Sequence, residues 1–260
     1  MSYKPKVLTQ AEGGTGLTAQ SAAYQVPYST GWNYPGTSQF AVIEHWDDFI
    51  GSTSTAATLC SFTWRAISSG GSVQVGVGTG DHPGILECKS NSGTTDTAAF
   101  LSSPAMLLFG GGVMTLEGVV NLPVLSDNTN TYTARFGYGD QGSAGGAIVD
   151  GAWFQYTNGV NSGNWTINTS SNSSPTAANT STAVTTSWVR LKIESNAAGT
   201  EIHFYVNGTE VANSPITNTI PTGAGRNFGI MVDFAKTAGA TPTVFDTDLI
   251  YFRKVLTTPR

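Results

Sequence analysis

Two carboxylates held close together can act as general acid and base, and the chain offers few places where its sequence joins them. Asp246 and Asp248 stand two apart in an apolar segment, so an extended backbone would put both on one face. Glu44, Asp47 and Asp48 surround His45 and Trp46. Neither group forms the acid-x-acid-x-acid run that would set a hydrolytic pair on one strand. Both read as polar turns or strand starts, with Trp46 or Phe49 as a core anchor. Asp246 with Asp248, or Asp47 with Asp48, is also a candidate calcium corner. Asp81-His82-Pro83-Gly84 has the composition of a turn, and no Gly-x-Ser-x-Gly elbow supplies the nucleophile that a catalytic His82 would need. His203 alternates with Tyr205 and reads as a half-buried strand residue. Two cysteines and three histidines without Cys-x-x-Cys or His-x-x-x-His spacing exclude a structural zinc site. Cys60 and Cys88 read as buried free thiols, with a disulfide as the alternative. The expectation is therefore no enzyme and no cofactor.

What remains is recognition. A sugar-binding surface needs aromatic faces for the apolar side of pyranose rings and planar polar groups for their hydroxyls. Tyr138, Asp140, Trp153, Gln155, Tyr156 and Asn158 supply that mixture within a short span and are the candidate ligand-binding residues. Along 147–157, Trp153 and Gln155 face one way and Phe154 and Tyr156 the other, so one pair should lie in a core.

These residues sit among short apolar runs that alternate with turn residues every 8–15 positions, the spacing of a sandwich or barrel. Charged residues make up 11% of the 260, against about 25% in ordinary soluble chains, while Thr and Ser number 36 and 25. Scarce Leu, Glu and Lys exclude a helical bundle. The net charge of −5 without a basic run leaves no electrostatic footprint for nucleic acid, and no apolar run is long enough for membrane insertion. Strands are expected at 40–43, 59–66, 73–77, 84–89, 106–108, 113–122 and 132–138, then at 147–157, 164–169, 188–195, 201–206, 228–234 and 247–255. Asn207-Gly208 marks a hairpin turn. The stretch 151–189 has no charged residue, and 169–186 reads as a long surface loop. Residues 1–39, rich in Gly and Pro, read as an extended N-terminal arm, and residues 40–260 as one antiparallel all-β sandwich. Low surface charge favours burial in a homo-oligomer.

Ser187-Trp-Val-Arg-Leu-Lys-Ile, Ile202-His-Phe-Tyr-Val-Asn-Gly, Ile220-Pro and Phe245-Asp-Thr-Asp-Leu-Ile-Tyr-Phe follow one another in an order that resembles the closing half of concanavalin A-like jelly rolls. Thr115-Leu-Glu-Gly-Val-Val, Ala134-Arg-Phe-Gly-Tyr-Gly-Asp140 and Asp150-Gly-Ala-Trp-Phe-Gln-Tyr156 fit the same pattern, so the resemblance covers residues 40–256. It implies a jelly-roll β-sandwich whose concave sheet carries ligands. Val7-Leu-Thr-Gln-Ala-Glu-Gly-Gly-Thr-Gly-Leu17 is similar to a short unit of tailed-phage fibre proteins. Asp81-His-Pro-Gly-Ile-Leu-Glu, after Trp46-Asp-Asp-Phe-Ile-Gly, also resembles phage structural proteins. The implied role is a virion surface protein, released by lysis, in keeping with a start that lacks the apolar run of a secretory leader. Its arm, through Gly13, Gly14, Thr15, Gly16 and Leu17, would attach to other virion proteins or to sister chains, with a homotrimer as the assembly that the resemblance to phage fibres implies. The sandwich would adhere to host surface glycan. The alternatives are a capsid decoration or fibre-building protein without ligand and, third, a glycan depolymerase.

Overall fold

The computed structural model describes residues 41–50, 64–103 and 106–259, which belong to the unit Phe40–Arg260. Over the described residues the chain forms two antiparallel sheets. The first runs in the order β13 (Thr209–Glu210), β12 (Ile202–Val206), β11 (Val189–Ser195), β6 (Gly112–Asn121), β15 (Val244–Leu256), β4 (Leu86–Lys89) and β3 (Ser72–Val75). The edge of β15 away from β6 is shared, because β4 pairs with it over Val244 to Thr247 and β1 (Val42–Asp47) from Ile250 to Val255. The second sheet runs β10 (Ser174–Ala183), β9 (Asn164–Ser171), β8 (Gly151–Thr157), β7 (Tyr132–Gly139), β14 (Gly229–Lys236), β5 (Thr97–Leu101) and β2 (Arg65–Ser69). The expected all-β jelly-roll sandwich is the observed fold.

Period-2 alternation decides which face each strand buries. Met114, Leu116 and Val120 of β6 and Phe245, Ile250 and Phe252 of β15 point inward. They meet Tyr132, Ala134, Phe136 and Tyr138 of β7, Phe154 and Tyr156 of β8, and Ile230, Val232 and Phe234 of β14. Burying each of the larger side chains contributes roughly 1.5–3 kcal/mol. On the inner face of β6, Gly118 carries no side chain because a Cβ there would lie 2.4 Å from the ring of Phe136.

Two expectations of local structure change. The stretch 169–186 is no loop: β9 and β10 form a hairpin whose turn, Asn172 and Ser173, takes φ of 55° and 62°. Asn tolerates that left-handed backbone, and the Asn172 N–H donates to Asp150 Oδ1 at 2.8 Å. Conversely, the segment around 106–108 contributes only an isolated bridge between Leu107 and Phe228. Asn207 and Gly208 (φ 49° and 81°) turn β12 into β13, the hairpin their pairing indicates.

Candidate functional site

The six ligand residues expected from sequence do not converge on one open surface. Tyr138 and Tyr156 belong to the core, at 0% and 3% exposure, which withdraws both rings from any ligand. Tyr138 packs edge-on against Phe109 at 5.3 Å, and burial holds its phenol far above the usual range. Tyr156 Oη donates to the Ser126 carbonyl at 3.3 Å. Trp153 and Gln155 occupy the outer face of the second sheet, but that face is roofed by the loop from residue 140 to 150. Trp153 is buried with Ala99, Leu101 and Met231 beneath Ala144 and Ile148 of this loop. Gln155 Oε1 accepts from Trp153 Nε1 at 3.3 Å and from Arg135 Nε at 3.2 Å.

Arg135 and Asp233, which the sequence reading passed over, fasten the roof. Arg135 donates to the Gly146 carbonyl at 2.8 Å and pairs with Asp233 Oδ2 at 3.3 Å, while Asp233 Oδ1 accepts from the Gly145 N–H at 2.7 Å. Asp233 is fully buried, and desolvation raises its pKa although Arg135, the Gly145 amide and Gln141 all favour its charged form. Asp140 Oδ1 accepts from Val149 and Asp150 N–H and closes the loop on itself. Asn158, at the other end of β8, donates to the Asp127 carbonyl at 2.8 Å. Asp140, Gln155, Tyr156 and Asn158 thus make hydrogen bonds within the chain, while the Tyr138 hydroxyl is sealed in the core without a hydrogen-bond partner. The attachment residues Gly13, Gly14, Thr15, Gly16 and Leu17, and Cys60, lie outside the described residues. Cys88 is a buried free thiol, and burial pushes its pKa up.

The acidic residues separate into different roles. Asp47 caps a turn: Oδ1 accepts from the Phe49 N–H at 2.9 Å and Oδ2 from Trp64 Nε1 at 3.1 Å. Phe49, at 1% exposure, is the core anchor there. A register shift between Thr247 and Leu249 sets Asp248 apart from Asp246. Asp248 pairs with His82 Nδ1 at 2.8 Å, and the His82 ring stacks on Trp188 at 4.2 Å. Asp246 is instead the direct cross-strand neighbour of Glu87 on β4. It is only 8% exposed, and its Oδ1 meets no hydrogen-bond donor. Burial first, and then the Glu87 charge, push its pKa up to about 7. A carboxyl pair thus arises between strands rather than along one. Among the described residues no three His, Cys, Asp or Glu gather as a metal-binding group.

Among the described residues, an open depression lies on the outer face of the first sheet. Trp46 of β1 stands 49% exposed beside its cross-strand partner Tyr251 of β15. With Leu249, Glu117 and Arg190 these rings line a depression of about 420 Å³. Glu117 Oε2 and Arg190 Nε are 3.4 Å apart and form a charged wall. Tyr251 Oη donates to Glu44, and burial, then that hydrogen bond and charge, push its pKa up to about 12. The phenol therefore stays a neutral donor. Two ring faces beside a carboxylate and a guanidinium can hold the apolar face of a pyranose and hydrogen-bond its hydroxyls. Of the two core anchors the sequence offered, Phe49, at φ 56°, is the one that turns inward, and Trp46 stays on the outer face. The signal was the alternation of Glu44 and Trp46 against Ile43, His45 and Asp47.

A family profile described as "SO2946-like, C-terminal domain" matches residues 81–248. No curated protein matches the sequence. Among solved structures, the chain is similar to the protein of unknown function SO2946 from Shewanella oneidensis MR-1, with a TM-score of 0.64, 16% identity and 99% of each chain covered. The Emp47p carbohydrate recognition domain is similar with a TM-score of 0.55 and 11% identity over 84% of this chain and 97% of that one. The endo-1,3-β-glucanase from Streptomyces sioyaensis has a TM-score of 0.54 and 11% identity over 86% of this chain and 99% of that one. These likenesses show a concanavalin A-like lectin/glucanase jelly roll. The expectation of a non-enzymatic chain is corrected here: an endo-1,3-β-glucanase has this fold, so the sandwich gives no ground for excluding glycan chemistry.

Proposed function

Because the chain belongs to the SO2946-like family, whose C-terminal domain it carries over residues 81–248, we propose that its sandwich is a glycan-engaging domain displayed on a tailed-phage virion. The observation that carries this reading is the half-exposed Trp46 ring beside Tyr251, in a depression walled by Glu117 and Arg190. A tryptophan this exposed on a strand stays in water at a cost, and ring stacking against a sugar removes it from water. The carbohydrate recognition domain and the glucanase among the similar structures support glycan as the ligand class. The virion setting rests on the phage-like segments of the sequence, with the arm over residues 1–39 as the attachment to other virion proteins and a trimer as the assembly. The test is binding of the purified chain to an array of bacterial surface polysaccharides, with Trp46→Ala alongside. The reading predicts saturable binding that the substitution weakens at least tenfold. Equal binding by both proteins, or none by the wild type, refutes it.

A second reading, glycan hydrolysis, is favoured by the Glu87 and Asp246 pair, in which burial and the neighbouring Glu87 push the Asp246 carboxyl up to about 7, the range of a general acid. Release of reducing ends from a bound polysaccharide, abolished by Asp246→Asn and by Glu87→Gln, supports it. Binding without release refutes it.

A further inference from the structure

The depression does not end at Arg190. Trp46, Tyr251, Glu117, Lys192, Tyr205 and Glu210 are successive cross-strand partners on β1, β15, β6, β11, β12 and β13. They form one row across the first sheet, at right angles to the strands. Their sequence neighbours Ile250, Phe252, Leu116, Leu191, Ile193, Phe204 and Val206 are all buried, so the row itself lies on the outer face. Aromatic rings stand at both ends. Between them stand Glu117 and Lys192, each with a quarter of its side chain exposed, so the charged wall beside the depression leads on to Lys192. At the far end Lys192 Nζ sits 4.0 Å from the centre of the Tyr205 ring.

Two further properties of the row bear on what it accepts. From Trp46 to Tyr205 there are four strand steps, roughly 19 Å at the spacing of strands in a sheet, and one such step is close to the rise of one hexose in an extended chain. The charges along the row alternate in sign, as Glu117, Lys192 and Glu210, with Arg190 beside Glu117, so no block of one sign selects an acidic or a basic ligand. A terminal sugar would use only the Trp46 end.

Resting on the reading of the Trp46 depression as a glycan site, we propose that its ligand is a neutral, linear glycan lying across the strands over about four to five sugar units, with Tyr205 and Lys192 as the far subsite. The polar middle of the row meets hydroxyls, and the two aromatic ends meet ring faces.

The test measures affinity for a printed series of neutral and acidic bacterial polysaccharide fragments of two to eight sugars, for the wild type, Trp46→Ala, Tyr205→Ala, Tyr205→Phe and Lys192→Ala. Thermal unfolding is followed for each, and Lys192→Ala, at a surface position on another strand, decides the matter if Tyr205→Ala does not fold. The proposal predicts affinity that rises with length to about four or five sugars and then levels off. Tyr205→Ala and Lys192→Ala should weaken the longer neutral fragments about 2- to 10-fold and leave disaccharides unchanged, with Tyr205→Phe close to wild type. Binding that needs Trp46 but shows no dependence on length, prefers acidic fragments, or is indifferent to both far-end substitutions overturns the extended site and leaves the depression standing. Binding indifferent to Trp46 removes the depression reading itself.

Discussion

Asp246 makes stability depend on pH in a direction opposite to most acidic residues. Its carboxyl is 8% exposed, faces Glu87 across the strands and has an oxygen with no donor, and its pKa moves from 3.8 to about 7. A raised acid favours the folded state while it is protonated. Its contribution is complete below about pH 4, falls as pH rises toward 7, and is lost above it. A shift of about three units corresponds to about 4 kcal/mol between those limits, at 1.36 kcal/mol per unit. Asp246→Asn removes the titration and keeps the shape. The variant should match the wild type near pH 4.5 and exceed it by about 3–4 kcal/mol at pH 8.5. Glu87→Gln removes the second cause, lowers the folded-state pKa of Asp246, and should make the loss smaller and complete at lower pH. Guanidinium unfolding followed by tryptophan fluorescence at pH 4.5, 6, 7 and 8.5 reads all three proteins. The buried Asp233 titrates in each of them and cancels in the differences. Wild-type and Asp246→Asn curves that stay parallel from pH 4.5 to 8.5 refute the assignment of a buried acid pair.

Other substitutions probe the packing that positions the two faces. Gly118→Ala drives a methyl into the Phe136 ring and should cost about 1–3 kcal/mol, read as a lowered melting temperature, whereas an unchanged temperature would show that the ring moves aside freely. Arg135→Ala leaves the fully buried Asp233 without its cation and should cost about 3–5 kcal/mol, more at pH 8 than at pH 5 because Asp233 then ionises uncompensated. A loss independent of pH would mean that Asp233 stays protonated in the wild type.

The alternation within each long strand was legible because it is local. Phe154 and Tyr156 separate from Trp153 and Gln155 on inspection of the sequence, and they do so in the fold. Which pair faces the core was not legible, since that depends on the sheet packed opposite. The outer face of the second sheet also escaped notice, because Ala99 and Leu101 are buried there by the loop at 140–150, so β5 reads as a continuous apolar run rather than an alternating one. For β10 the reason is composition. Ser174–Ala183 buries only Thr180 and is held by its ladder to β9, which no pattern of apolar residues announces. The open site hides for a third reason. Trp46, Glu117, Arg190 and Tyr251 come from four strands, and Glu87 meets Asp246 across most of the chain, so only the registers of β15 with its neighbours assemble them.

The central claim is that glycan is held on the outer face of the first sheet rather than on the roofed face of the second. Its most direct test is titration of one array-selected polysaccharide fragment into the wild type, Trp46→Ala and Gln155→Ala by calorimetry. The account predicts at least a tenfold loss of affinity for Trp46→Ala and wild-type affinity for Gln155→Ala. A loss confined to Gln155→Ala would place the ligand under the 140–150 loop and contradict it.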